Sequence, residues 1–281
     1  MLLRQADQAD RIALADLIQH SPHMHSHLGW RSPLEWLGTS YPYMVMVEAE
    51  RVVAALACSQ EISAIAWIQL FVVSSQVSVH DAWNKLWPRV CLHLEAGTRI
   101  IVLPMQEWFE SILQENDFSC RDQIAMLEWF DQGQRIVASP FDPRLMQPDD
   151  LENVYSVDKQ SFEPVWQQSR DQLAIARREA VHATVIEQGG DILGYQISTK
   201  STGDGHLARL AVLPEVRNRG LGQALLADAL ARFRSQGVER VTVNTQVDNL
   251  PSLALYQKMG FRRIAETYSV YQYQHQAFAS L

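Results

Sequence analysis

L-A-V-L-P-E-V-R-N-R-G-L-G-Q-A-L-L, residues Leu210 to Leu226, reads as a buried strand, a Pro-Glu turn and a helix that opens from a basic loop. Leu221, Leu225, Ala229 and Phe233 recur every fourth residue, with Leu226 and Leu230 beside them, which is the pattern of one buried helical face. Gly220 and Gly222 keep side chains away from the first turn of that helix, and Arg217 and Arg219 add positive charge. The free N–H groups of a helix start favour an anion, above all a diphosphate. The spacing excludes the commonest nucleotide loops. Neither G-x-x-x-x-G-K-[ST] nor G-x-G-x-x-G follows the strand.

Further along, N-L-P-S-L-A-L-Y-Q-K-M-G-F (Asn249 to Phe261) reads as a short helix ended by glycine. Arg217-Asn218-Arg219-Gly220-Leu221-Gly222, the preceding L-A-V-x-P-E strand and this downstream segment occur in a fixed order. Together they resemble the GNAT N-acetyltransferase superfamily, whose coenzyme A loop is [Q/R]-x-x-G-x-[G/A]. The resemblance covers roughly Leu145 to Tyr273. It implies an α/β fold of the α+β mixed-sheet kind, with a mostly antiparallel sheet flanked by helices.

The chain has 281 residues, 47% hydrophobic and 20% charged, the composition of an ordinary globular protein long enough for two domains. A net charge of -8 argues against nucleic acid or an anionic membrane as partner. Cys58, Cys91 and Cys120 lie far apart without a C-x-x-C, which suggests neither a disulfide framework nor a zinc site. The N-terminus does not read as a signal peptide, and no apolar run reaches membrane-spanning length. The expected location is cytoplasmic.

The chain repeats itself. Leu2–Ile18 and Arg144–Asp158 share a strand, polar turn and amphipathic helix. A-W-I-Q-L-F-V-V from Ala66 matches H-L-A-R-L-A-V-L from His206, an offset of 140; R-I-I-V-L-P from Arg99 matches R-V-T-V-N-T from Arg240, an offset of 141. S-I-L-Q-E-N-D-F from Ser111 matches A-L-Y-Q-K-M-G-F from Ala254, an offset of 143. Two tandem GNAT-like domains are expected, over residues 1–138 and 139–281, joined near Gly133, Pro140 and Pro143. The first copy is degenerate. After its central strand come S-S-Q-V-S-V-H-D, with no glycine or arginine pair, and Leu113 and Asp117 replace Tyr256 and Gly260. Its histidine-rich stretch, His20 to His27, reads as a polar surface loop between helices, and no metal is expected there. The tryptophans Trp30, Trp36, Trp83, Trp87 and Trp108 read as residues of the core or of the interface between the halves rather than ligand contacts. The second copy is expected to close with two strands, Phe261–Ile264 and Thr267–Tyr273.

The resemblance further implies an acyltransferase that moves the acetyl group of acetyl-CoA to a primary amine by direct attack in a ternary complex. By that resemblance Leu210, Ala211 and Val212 hold the pantetheine and thioester oxygen, and Arg217, Asn218, Arg219, Gly220, Leu221, Gly222 and Gln223 hold the diphosphate. Asn249 orients the coenzyme or acceptor, and Tyr256 protonates the departing thiolate. An unperturbed tyrosine pKa of about 10 suits an alkyl thiolate. Phe162, Glu163, Trp166 and Arg209 are candidate acceptor contacts, Arg209 favouring an acceptor with a carboxylate or phosphate. The general base is open among His206, Glu163 and His182. The acceptor is a small molecule or peptide, and the chain a monomer or homodimer. The alternative function is a non-catalytic acetyl-CoA sensor.

Overall fold

A computed structural model describes residues 1–134, 136, 140–201 and 203–276. Contacts divide the chain into two units, Met1–Arg121 with Tyr268–Leu281, and Asp122–Thr267. The divisions fall at 121/122 and 267/268.

The first unit contains β1 (Leu2–Gln5), α1 (Arg11–His20), β2 (His23–Ser26), β3 (Tyr43–Glu48), β4 (Arg51–Ile62), β5 (Ile65–Val73), α2 (Val79–Cys91), β6 (Arg99–Val102) and α3 (Glu107–Glu115). The next strand, β7 (Ser119–Phe130), ends this unit and begins the other. The second unit continues with β8 (Arg144–Leu145), α4 (Leu151–Ser161), α5 (Arg170–Glu179), β9 (His182–Gln188), β10 (Asp191–Ser201), β11 (Asp204–Val212), α6 (Leu221–Ser235), β12 (Arg240–Gln246) and α7 (Leu250–Lys258). One continuous strand, β13 (Arg262–Gln274), closes the chain where two were expected. The polar, exposed Ala265-Glu266-Thr267 reads as a break in sequence but stays extended.

Each unit borrows its closing strand from the other half of the sequence. In the first, Tyr271–Gln274 of β13 pairs antiparallel with Arg99–Val102 of β6. In the second, Ile124–Phe130 of β7 pairs antiparallel with Arg240–Gln246 of β12. Strand pairing within the two units is otherwise alike: one parallel pair, β5–β6 or β11–β12, among antiparallel neighbours. This is the mixed sheet the sequence predicts.

The repetition extends to side chains. Arg4 grips Asp10 through two hydrogen bonds of 2.6 and 2.7 Å, and Arg144 grips Asp150 at 2.7 and 2.9 Å. Each aspartate also accepts a backbone N–H three residues earlier, fixing the entry of the first helix. Asp117, after α3, takes φ 61°, and Gly260, after α7, takes φ 91°. The same left-handed exit recurs with glycine in one copy and aspartate in the other.

Helix α6 packs as its four-residue spacing predicts, with Leu221, Leu225, Ala229 and Phe233 all buried. Gly205 of β11 allows this, since a Cβ there would stand 2.7 Å from the Phe233 ring. In the first unit, Trp83 and Trp87 of α2 stack at 4.9 Å within a core that includes Phe71, Phe109 and Phe118.

The histidine stretch is not a surface loop. His23–Ser26 forms β2, antiparallel to Leu70–Val73 of β5. The opposite flank of that segment pairs with β4. β6 accompanies β5 only from Ile65 to Trp67, so β2 takes up the edge that β6 leaves. His25 is buried against Phe109 with neither ring nitrogen hydrogen-bonded. Among the described residues, no cluster of histidine, cysteine or carboxylate side chains suits a metal ion.

Candidate active site

In the second unit the corresponding edge is open. β11 runs beside β12 only from Asp204/Arg240 to Leu207/Val243, and beyond that the two parallel strands diverge. On the other side β11 stays paired with β10 through Val212. Gly194 of β10 supports this close approach, because a Cβ would lie 2.7 Å from the Ala211 carbonyl oxygen. The divergence leaves a cavity of about 700 Å³ lined by Leu210, Ala211 and Val212 on one side and by Gln246, Asp248 and Asn249 on another.

The loop after β11 closes one end. Asn218 adopts φ 62° and Gly220 φ 97°, turning the chain into α6. Gly220 is the N-cap and supplies no capping side chain, and the first intrahelical backbone bond is Ala224 N–H to Gly220 O at 3.0 Å. The start of α6 therefore presents Leu221, Gly222 and Gln223, with Arg217 and Asn218, to the cavity. By contrast α5 and α7 are closed by their own caps, Ser169 and Asn249. An uncapped helix start inside a cavity is suited to a diphosphate. At Gly222 a Cβ would stand 3.3 Å from a Leu255 methyl, so a side chain would crowd this cradle. Arg217 is braced by hydrogen bonds to the Val212 and Ser161 carbonyls, both 3.1 Å. Arg219 is exposed, does not line the cavity, and donates to the Glu215 carbonyl at 3.3 Å.

The remaining predicted residues divide. Phe162, Glu163 and Trp166 line the cavity from the segment after α4. Asn249 lines it too, while accepting from the Ser252 N–H at 3.3 Å and donating to Thr245 Oγ1 at 3.0 Å. Tyr256 does not line the cavity. It is buried against Phe261 in the core cluster that contains Leu207 and Val243, the last paired residues before the strands part. Burial pushes its hydroxyl pKa well above the usual tyrosine value, so it stays protonated. His206 lies four residues before Leu210, outside the cavity, with Nδ1 2.9 Å from Thr242 Oγ1. Burial lowers its pKa. His182 is also elsewhere, 2.8 Å from Asp228.

Arg209 does not line the cavity. Its guanidinium pairs with the fully buried Asp158 at 2.5 Å, donates to the Trp166 carbonyl at 2.8 Å and lies over the Phe162 ring at 4.0 Å. Asp122, Ser161, Gln246, Asp248 and Lys258 also line the cavity. No sequence signal singles them out. Asp122 belongs to the strand borrowed from the first half of the sequence.

Residues 151–261 match the model of the acetyltransferase (GNAT) family. That segment is similar in sequence to the GNAT acetyltransferases. A candidate ribosomal protein bS18-alanine N-acetyltransferase of Bacillus subtilis is 27% identical over 119 residues, 42% of this chain and 79% of that protein. A mycothiol acetyltransferase of an Arthrobacter species is 30% identical over 84 residues, 28% of this chain but only 26% of that protein's length. Over the whole chain, a tandem GNAT protein from the clavulanic acid biosynthesis pathway shares the fold at a TM-score of 0.64 and 15% identity, covering 99% of each chain. A GCN5-related N-acetyltransferase from Sphaerobacter thermophilus gives 0.62 at 16% identity, covering 100% of this chain and 97% of its own. The whole chain thus has the tandem fold, and its sequence likeness to acetyltransferases lies in the second half. Among the described residues no helix is long and apolar enough to cross a membrane.

Proposed function

We propose that the second unit binds acetyl-CoA in the cavity between β11 and β12 and transfers the acetyl group to a primary amine. The single observation that carries this is the open edge of β11: its pairing with β12 ends at Leu207/Val243, and the freed stretch leads to an uncapped helix start. Acetyl-CoA supplies an activated acyl carbon as a thioester. The amides of Leu221, Gly222 and Gln223 then hold the diphosphate, with Arg217 and Lys258 as nearby positive charge. The backbone edge from Leu210 to Val212 takes the pantetheine and stabilises charge that develops on the thioester oxygen. Asn249, already fixed as a helix cap, orients the coenzyme arm. Tyr256, buried behind the lining residue Leu255 and kept protonated by burial, is the donor to the departing sulfur in this reading, although its raised pKa no longer matches that of a thiol.

Of the three candidate bases only Glu163 lines the cavity, and it takes the proton of the attacking amine, directly or through water. Phe162 and Trp166 form the acceptor wall. The acceptor is a small molecule or peptide with a free primary amine, in keeping with the alanine N-acetyltransferase named for the Bacillus relative. The test is release of coenzyme A thiol from acetyl-CoA across a panel of amines and peptide N-termini, with the product identified by mass spectrometry. Amine-dependent release and an N-acetylated product are expected. Coenzyme binding without amine-dependent release would make the chain a sensor instead.

A further inference from the structure

A buried ionic cluster stands beside this cavity, and the chemistry above does not use it. Asp158, at the end of α4, is fully buried, and Arg209 of β11 is its cationic partner. The Arg209 Nε donates to Asp158 at 2.5 Å and to the Tyr195 hydroxyl at 2.9 Å, and the Tyr195 hydroxyl itself donates to Asp158. From this cluster three tethers reach the segment 162–168. Arg209 Nη2 donates to the Trp166 carbonyl at 2.8 Å, its guanidinium covers the Phe162 ring at 4.0 Å, and Asp158 accepts the Gln168 N–H at 2.9 Å. The tethered segment carries Phe162, Glu163 and Trp166 into the cavity, and Arg209 immediately precedes Leu210, the first β11 residue on its opposite side.

We infer that Arg209, locked to Asp158 and Tyr195, is a positioning residue that sets the distance between the acceptor wall and the β11 edge, and that it does not recognise the acceptor itself. The inference rests on the acetyl-transfer reading of the cavity. Its physical basis is the planar guanidinium, which bonds a carboxylate, a phenol and a carbonyl at once while stacking on an aromatic ring. A lysine ammonium keeps the charge but cannot span those partners in that geometry. The charge of Arg209 is also neutralised by Asp158, so it offers no anion-binding site to an acceptor carboxylate. That is the opposite of what an arginine on this strand suggests from sequence alone.

The experiment uses the full chain, wild type and Arg209→Lys. Because an apolar residue at 209 alone would strand the Asp158 carboxylate, the double variant R209M/D158L serves as the second, charge-free test. Two readouts are taken. The first is steady-state acetylation of matched amines with and without a carboxylate, such as tryptophan and tryptamine, alongside peptide N-termini. A shift in wall geometry of about 1 Å should raise the acceptor KM roughly tenfold to a hundredfold for both members of each pair alike. The KM for acetyl-CoA should stay within about twofold, because no Arg209 contact reaches the α6 start. The second is hydrogen exchange of the backbone amides in 162–168, which needs no acceptor. Exchange of the Gln168 amide should quicken at least about tenfold in both variants.

A loss confined to carboxylate-bearing acceptors would overturn the inference, because Arg209 would then be a direct contact. Unchanged acceptor KM would also overturn it, whatever the exchange shows. Unchanged exchange in 162–168 would remove the tether. If exchange quickens but no amine is acetylated even by the wild-type chain, the tether stands. The reading of the cavity is then what fails.

Discussion

Acidification should destabilise the first unit through the buried ring of His25. An unfolded histidine titrates near 6.5, whereas in the fold His25 is pushed down to about 3 by burial and by the neighbouring His27. The nearby Ile68 backbone opposes this shift, but neither ring nitrogen has a partner of hydrogen-bond geometry. The folded pKa is depressed, so the stabilisation is complete above about 6.5 and is lost as pH falls from there toward about 3. At about pH 5 the unfolded chain has gained a proton that the folded chain refuses, over about 1.5 pH units at ~1.36 kcal/mol each, which is about 2 kcal/mol. His27 is also pushed down by burial, to about 4, and adds to the loss in the same window in wild type and variant alike. Asp10 and Asp150, held below their usual range by Arg4 and Arg144, act at lower pH and leave this window clear.

The assay is urea unfolding, followed by tryptophan fluorescence at about pH 7.5 and about pH 5, of wild type and His25→Leu. Leucine removes the titrating ring and its two unsatisfied nitrogens, so near pH 7.5 the variant should match or exceed wild type. Between the two pH values wild type should lose about 2 kcal/mol more than the variant. Equal acid sensitivity in the two proteins would refute the reasoning: β2 would then not be sealed against the β5 edge in solution.

Gly222→Ala should leave the melting temperature nearly unchanged, since its backbone is helical, yet weaken coenzyme A about tenfold or more by crowding amides that bond a charged group; calorimetry reads the loss. Tyr256→Phe should lower kcat by about 10²-fold or more with coenzyme binding nearly intact, the signature of a lost general acid, measured by steady-state and binding assays side by side. A fragment of residues 122–267 should fold and bind coenzyme A, whereas one of residues 139–281 lacks the β7 partner of β12 and should show no cooperative melt by circular dichroism. Calorimetric titration of the full chain should give one coenzyme per chain, because β2 fills in the first unit the edge left open in the second.

Local chemistry made much of this legible. The strand, loop and helix at Leu210–Leu226 follow from apolar spacing and glycine placement, and near-constant offsets reveal the repeat. The choice of partner strands does not follow from such signals. Nothing in the composition of β7 or β13 says that each will complete the sheet of the other half, because the choice depends on which sheet edge lies free. The histidine stretch fails for a related reason. His23, Met24, His25 and Ser26 carry little apolar signal, and they become a strand only because β6 leaves the β5 edge vacant. Arg209 read as an acceptor contact because its partners Asp158, Trp166 and Tyr195 lie 51, 43 and 14 residues away in sequence. Once they converge, its charge is already matched. Tyr256 shows the converse: motif position marks it, while its burial beside the root of the gap emerges only from the fold.

The most direct measurement is a crystal structure of the chain with acetyl-CoA. The diphosphate should rest on the amides of Leu221, Gly222 and Gln223, with the thioester oxygen against the β11 edge between Leu210 and Val212 and no coenzyme in the first unit. Coenzyme bound against β5, or anywhere other than the mouth between β11 and β12, would contradict the account.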